Sequence, residues 1–170
     1  MKNISVTIIS FISLSVIVLL QSCYSLSGIS IDPNIETFDA PLFENRAGLV
    51  EPTLALSMTE KLKDKIRNSS RLRWTDTNPD LIFNGVITTY TITSVAPVEG
   101  ATSAFNRLTI TLKVNFENTK NEKQNWEKPF TRFVDFESSQ DFSDVKDALI
   151  EEATTDIMED VFNESFAKNW

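Results

Sequence analysis

The sequence predicts an α+β two-layer sandwich in which two helices pack on one face of a mostly antiparallel sheet of four to five strands. Two apolar stripes at helical spacing, one early and one at the C-terminal end, flank a central block of β-branched and aromatic runs broken by turn residues. Helices placed outside a run of consecutive strands bury their stripes against one sheet face. The opposite face is then left uncovered.

The elements follow in order. Ile35 to Phe43 reads as a first strand, with Pro41 marking an edge or an irregularity because it has no ladder donor. Pro52 suits the opening of a helix, where its missing N–H is harmless. Leu54, Met58, Leu62 and Ile66 then recur every four residues, and Asn68-Ser69-Ser70 ends the stripe. A short strand over Leu72–Thr75 leads to the turn Asn78-Pro79-Asp80, whose residues each favour tight turns. Leu81 to Val95 is a long strand, closed by Pro97 and Gly100. In Phe105–Phe116, Leu108, Ile110, Leu112 and Val114 alternate with Arg107, Thr109, Thr111 and Lys113, so the two sets line opposite faces. A polar turn over Asn118–Asn125 returns the chain as Trp126–Phe136, with Phe130 and Val134 inward. Arg132 shares their parity. Either a bulge near Pro129 turns it outward, which is the expected solution, or its guanidinium lies on the apolar face and needs a carboxylate. The last helix, Asp144 to about Lys168, carries Val145, Leu149, Ala153, Ile157 and Val161 on one stripe, widened by Ile150, Met158, Phe162 and Phe166.

The N-terminus carries a different signal. After Met1-Lys2, an apolar run from Ile4 to Leu20 precedes Leu20-Gln21-Ser22-Cys23. The run falls short of the roughly 20 residues a spanning helix needs, and no basic stop-transfer cluster follows it. The small Ser22 before the chain's single cysteine makes residues 1–22 a lipoprotein signal peptide, with Cys23 as the acylated residue. Residues 23–33 are the lipidated tether and residues 34–170 the single folded domain. Two or more acyl chains, at about 0.8 kcal/mol per buried methylene, hold a protein stably on a membrane.

Composition excludes most chemistry. Loss of Lys2 leaves 15 basic against 24 acidic side chains, a balance that disfavours nucleic acid, whose phosphates need an excess of Lys and Arg. Histidine is absent and the one thiol is committed to lipid, which removes the common general base, the cysteine nucleophile and His- or thiolate-based metal sites. Adjacent acids such as Glu151-Glu152 and Glu159-Asp160 lie on a helix, where neighbours do not face each other, so they read as a solvated face rather than a catalytic pair. The four glycines are scattered singly and form no phosphate-cradling loop. No enzyme activity, cofactor or metal is expected.

Several stretches taken together resemble the LptE lipoproteins of Bacteroidota, the outer-membrane lipopolysaccharide assembly lipoproteins. These are Cys23-Tyr24-Ser25-Leu26-Ser27-Gly28, then Phe43-Glu44-Asn45-Arg46-Ala47 with the Pro52 helix, then Asn106-Arg107-Leu108-Thr109-Ile110-Thr111. Phe130-Thr131-Arg132-Phe133 and the closing helix from Leu149 to Trp170 complete the set. The resemblance implies a non-catalytic plug subunit inside the large β-barrel LptD, which helps that barrel assemble and assists delivery of lipopolysaccharide to the cell surface. Tyr24-Ser25-Leu26-Ser27 is not the acidic sequence that directs surface export, so the protein is expected to face the periplasm or the barrel lumen. Contact residues for the partner or for lipopolysaccharide are expected among Arg46, Arg107, Thr109, Thr111, Lys113 and Arg132, because arginine grips phosphate bidentately and the threonines lie on the uncovered sheet face. The alternative is a free-standing glycan- or small-molecule-binding lipoprotein that uses the same face, where Tyr90, Arg107 and Lys113 would gather.

Overall fold

A computed structural model describes residues 31–49, 51–95 and 104–167. Cys23 and most of its tether, the turn residues Pro97 and Gly100, and Lys168 lie outside the described residues. The elements are β1 (Thr37–Asp39), β2 (Glu44–Asn45), α1 (Leu54–Ser69), β3 (Arg73–Trp74), β4 (Leu81–Val95), β5 (Phe105–Asn118), a 3-10 turn (Glu122–Gln124), β6 (Trp126–Glu137) and α2 (Phe142–Phe166). The fold is the expected α+β arrangement of two helices and one sheet. The sheet has six strands rather than four to five, in the order β3-β1-β4-β5-β6, with β2 also on β4.

Its centre is the antiparallel meander β4-β5-β6, and its other margin is parallel: β1 runs parallel to both β3 and β4, and β2 parallel to β4. The parallel pairs arise because α1 crosses between the first two short strands and β3-β4, returning the chain in its original direction. The expected single strand from Ile35 to Phe43 is divided at Ala40-Pro41-Leu42. There the chain leaves the ladder beside Ile82, buries Ala40 and Phe43, and rejoins β4 at Val86. Phe43 fits because Gly85 has no side chain: a Cβ there would stand 2.5 Å from the ring. Thr59 of α1 fixes the same loop, accepting the Phe43 amide at 3.0 Å and donating to the Ala55 carbonyl at 2.7 Å.

Both predicted stripes are buried. Leu54, Met58, Leu62 and Ile66 of α1, and Leu149, Ala153, Ile157, Val161 and Phe166 of α2, cover the even-numbered side of β5: Leu108, Ile110, Leu112, Val114 and Phe116. Each such large side chain contributes about 1.5–3 kcal/mol by leaving water. Lys61 with Glu151 and Lys65 with Glu159 join the exposed flanks of the two helices.

Two expectations about register are corrected. No bulge interrupts β6: its pairing with β5 is continuous from Phe116↔Trp126 to Phe105↔Glu137. Arg132 therefore stays on the helix face, opposite Ile110, and reaches across the sheet margin to Asp160 and, at 3.9 Å, to Asp156 of α2. Pro129 needs no bulge because on an outer strand its missing donor points away from the ladder. The irregularity lies in β4 instead, between Ile87 and Thr89, where the extra residue Thr88 shifts the pairing. Odd residues face the helices up to Ile87 and even residues after it, so Tyr90 turns into the core and is 2% exposed.

Candidate functional site

The uncovered sheet face is built by register. Across β4, β5 and β6 its successive rows are Thr89-Thr111-Thr131, Thr91-Thr109-Phe133 and Thr93-Arg107-Asp135, with Val86-Lys113-Pro129 below. Thr88, displaced by the bulge, adds a further hydroxyl, which donates to the Thr111 carbonyl at 3.5 Å. Thr111 and Thr131 share a hydrogen bond between their hydroxyls at 3.0 Å. β-branched threonine suits this surface twice over, since its methyl packs against cross-strand neighbours and its hydroxyl stays wet.

One corner is aromatic and charged. Arg107 grips Asp135, its direct cross-strand partner, through Nε at 2.6 Å and Nη2 at 2.8 Å. The same guanidinium lies 4.1 Å from the centre of the Phe133 ring, which is 57% exposed. The hydrogen bonds from Arg107 hold the Asp135 carboxyl below its ordinary pKa, outweighing the small upward push of burial. Lys113 pairs diagonally with Glu127 at 2.7 Å. The face carries hydroxyls and methyls at its centre, and both of its named cations, Arg107 and Lys113, are ion-paired.

Thr109, Thr111, Lys113 and Arg107 thus share one surface. Arg46 and Arg132 do not join them: Arg46 follows β2, where it pairs with Glu44 at 2.5 Å, and Arg132 is on the opposite face with Asp160. Two further arginines are also engaged, Arg71 with the carbonyls of Ile31 and Asp32 and Arg73 with Glu36. Tyr90, placed by the alternative reading beside Arg107 and Lys113, is withdrawn into the core. Sequence reasoning missed Phe133, although its place between Thr131 and Asp135 gives it their outward parity. It also missed Thr88, Thr89, Thr91, Thr93 and Thr131 as one surface, because their alignment depends on the bulge in β4 and on an unbroken β6. Among the described residues no group of three His, Cys, Asp or Glu side chains is placed to hold a metal ion, and no helix is long and apolar enough to cross a membrane.

Comparison with known proteins adds to this geometry. The family model LptE, described as lipopolysaccharide assembly, matches residues 35–165. No curated protein matches the chain. Among solved structures, a protein from Xanthomonas campestris is 12% identical with a TM-score of 0.51, covering 79% of this chain and 88% of its own. A minor lipoprotein from Acinetobacter baumannii is 11% identical with a TM-score of 0.50, covering 76% and 91%. At these identities the likeness is one of fold.

Proposed function

Because the chain belongs to the LptE lipopolysaccharide-assembly family, we propose that it is a non-catalytic outer-membrane lipoprotein, anchored through acylated Cys23, which plugs an LptD β-barrel and assists its assembly. The family match over residues 35–165, essentially the whole folded domain, carries this reading. In it, residues 1–22 are removed as a signal peptide, and the domain faces the periplasm or the barrel lumen. The partner is the barrel wall, and the surface offered to it is the threonine face with Thr109, Thr111, Lys113 and Arg107. A hydroxyl-rich surface whose cations are already paired suits a polar wall better than a concentrated anion. Direct grip of lipopolysaccharide phosphates by Arg46, Arg107 or Arg132 would first have to displace Glu44, Asp135 or Asp160.

The test is a mild-detergent affinity purification of the lipidated protein from its native membrane, with mass spectrometry of what accompanies it. A single large β-barrel at about one-to-one is expected; recovery of the protein alone would overturn the plug reading. Thr111→Arg places a long cation at the centre of the face without touching the core. It is expected to leave the melting temperature within a few degrees of wild type and to reduce barrel recovery at least tenfold. Undiminished recovery would mean that another face docks. Cys23→Ala is expected to move the protein from the membrane fraction to the soluble one in cells lacking the barrel, and its retention there would refute the lipid anchor.

A further inference from the structure

The outer margin of β6 is distinct from the threonine face. Ser138 donates to Ala104 at 3.0 Å, and Thr119 to Asp80 at 2.9 Å, which fixes the parity of the ladder: even residues of β6 bond β5, and odd residues of β5 bond β4. The main-chain groups of Thr131, Phe133 and Asp135 therefore point away from the sheet. Their amides find no acceptor among the described residues, while the Thr131 carbonyl accepts from the Arg132 guanidinium at 3.2 Å. Such a row is a template for a further strand, and proteins usually keep outer strands short or cover them. On the opposite margin β3 is only two residues long; β6 is twelve.

We propose that the β6 margin from Thr131 to Glu137 is a strand-addition site for an extended, basic segment of a protein partner. Beside this margin, between β6 and α2, runs a groove of about 450 Å³ walled by Phe130, Thr131 and Arg132 on one side and by Asp160 and Asn163 on the other. A strand added to β6 directs alternate side chains to the two sheet faces. Those on the helix side enter the groove, whose lining carries the carboxylates of Asp160 and Glu164 against the single cation Arg132, while Lys128 and Asp156 pair with Glu164 and Arg132 from outside it. Glu152 continues the same acidic row one turn earlier. Those on the other side meet the exposed ring of Phe133 and, past the Arg107–Asp135 pair beside it, the carboxylate of Glu137. The complementary occupant alternates Lys or Arg with an apolar residue, main-chain hydrogen bonds supplying affinity and the two rows supplying selectivity. This site goes beyond the barrel-plug reading and does not rest on it.

The probe is a seven-residue peptide alternating Val and Lys, with a Val and Glu peptide as control, titrated into the full lipidated chain in neutral detergent. Amide hydrogen exchange and fluorescence anisotropy are the readouts. Saturable binding of the Lys peptide is expected, with slowed exchange at Thr131, Phe133 and Asp135, at least tenfold weaker binding of the Glu peptide, and weakening in high salt. Phe133→Pro removes an outward amide without breaking a bond to β5, so it is expected to retain the cooperative melt and abolish binding. Unprotected wild-type amides, or equal binding of the two peptides, would overturn the proposal whatever the variant does. Protection that appears without peptide and grows with protein concentration would also overturn it, in favour of two copies pairing through β6. None of these outcomes bears on barrel recovery, which tests the plug reading separately.

Discussion

Leu112→Asp is expected to abolish the cooperative thermal transition of the domain. Leu112 is fully buried at the middle of β5, opposite Ile87 on one side and Phe130 on the other, under the two helices. Truncating such a side chain costs about 2–5 kcal/mol by itself. Adding an unpaired carboxylate costs several kcal/mol more, because no cross-strand neighbour at that position is cationic. Together these reach the order of 5–15 kcal/mol that holds a domain of this size folded. The neighbouring Ile110→Asp should be less severe, since its direct cross-strand partner is Arg132, which can swing from Asp160 to a new carboxylate. Circular dichroism melts of Leu112→Asp, Ile110→Asp and Thr111→Arg check the order. A transition for Leu112→Asp within a few degrees of Thr111→Arg would contradict the assignment of the two faces.

Those faces were legible in the sequence because β5 carries them as strict alternation over Phe105–Phe116, and alternation is a local property. The same holds for the helices: Leu54, Met58, Leu62 and Ile66 announce a buried stripe before anything is known of what covers it. The parallel margin was not legible. β1 and β2 are three and two residues long, and their partner is chosen by the crossover of α1, a matter of chain path rather than local pattern. The misplaced bulge has a different cause. Pro129 drew it because proline interrupts ladders, yet on an outer strand its nitrogen faces away. The true bulge had a signal, since buried residues in β4 switch from odd at Leu81, Phe83 and Ile87 to even at Tyr90.

The candidate face was half readable for related reasons. Thr109, Thr111 and Lys113 fall on it by the alternation of one strand. Thr89, Thr91 and Thr93 join them only through the register set by Thr88, and Phe133 only once β6 is known to run without a break. Arginine proved the weakest guide. Arg46, Arg107 and Arg132 look alike in the sequence, but a side-chain carboxylate meets each one, from β2, from the neighbouring strand β6 and from α2 respectively. In an acidic chain that is the expected fate of a cation. What separates them is the surface each pair occupies: beside β2 for Arg46, the threonine face for Arg107, and the groove beside β6 for Arg132.

Asp80→Asn is expected to lower stability at neutral pH by the worth of one charge-assisted hydrogen bond, about 1.5–3 kcal/mol, and the part of that loss due to charge shrinks in acid. Asp80 is 9% exposed where the parallel and antiparallel parts of the sheet meet. One carboxylate oxygen accepts from the amides of Glu36 and Thr37 at 2.9 and 3.0 Å and from the Thr37 hydroxyl at 3.0 Å, while that hydroxyl accepts from the Asp80 amide. The other oxygen meets the Lys120 ammonium at 3.2 Å. Burial pushes the carboxyl pKa up, but these donors more than offset it and hold it below the ordinary carboxyl value. A carboxyl whose pKa falls on folding contributes stability that is present above the unfolded-state value and is lost as pH drops through the lower folded-state value. Asparagine keeps an acceptor but carries no charge, and each charge-assisted bond it weakens is worth about 1.5–3 kcal/mol at most. Urea unfolding from pH 7 to pH 2.5 should therefore give wild-type and Asp80→Asn curves that are well separated at neutral pH and draw closer as pH falls below about 4. A constant separation across that range would mean that packing rather than charge makes this junction, and that the donors around Asp80 would serve a neutral acceptor equally well.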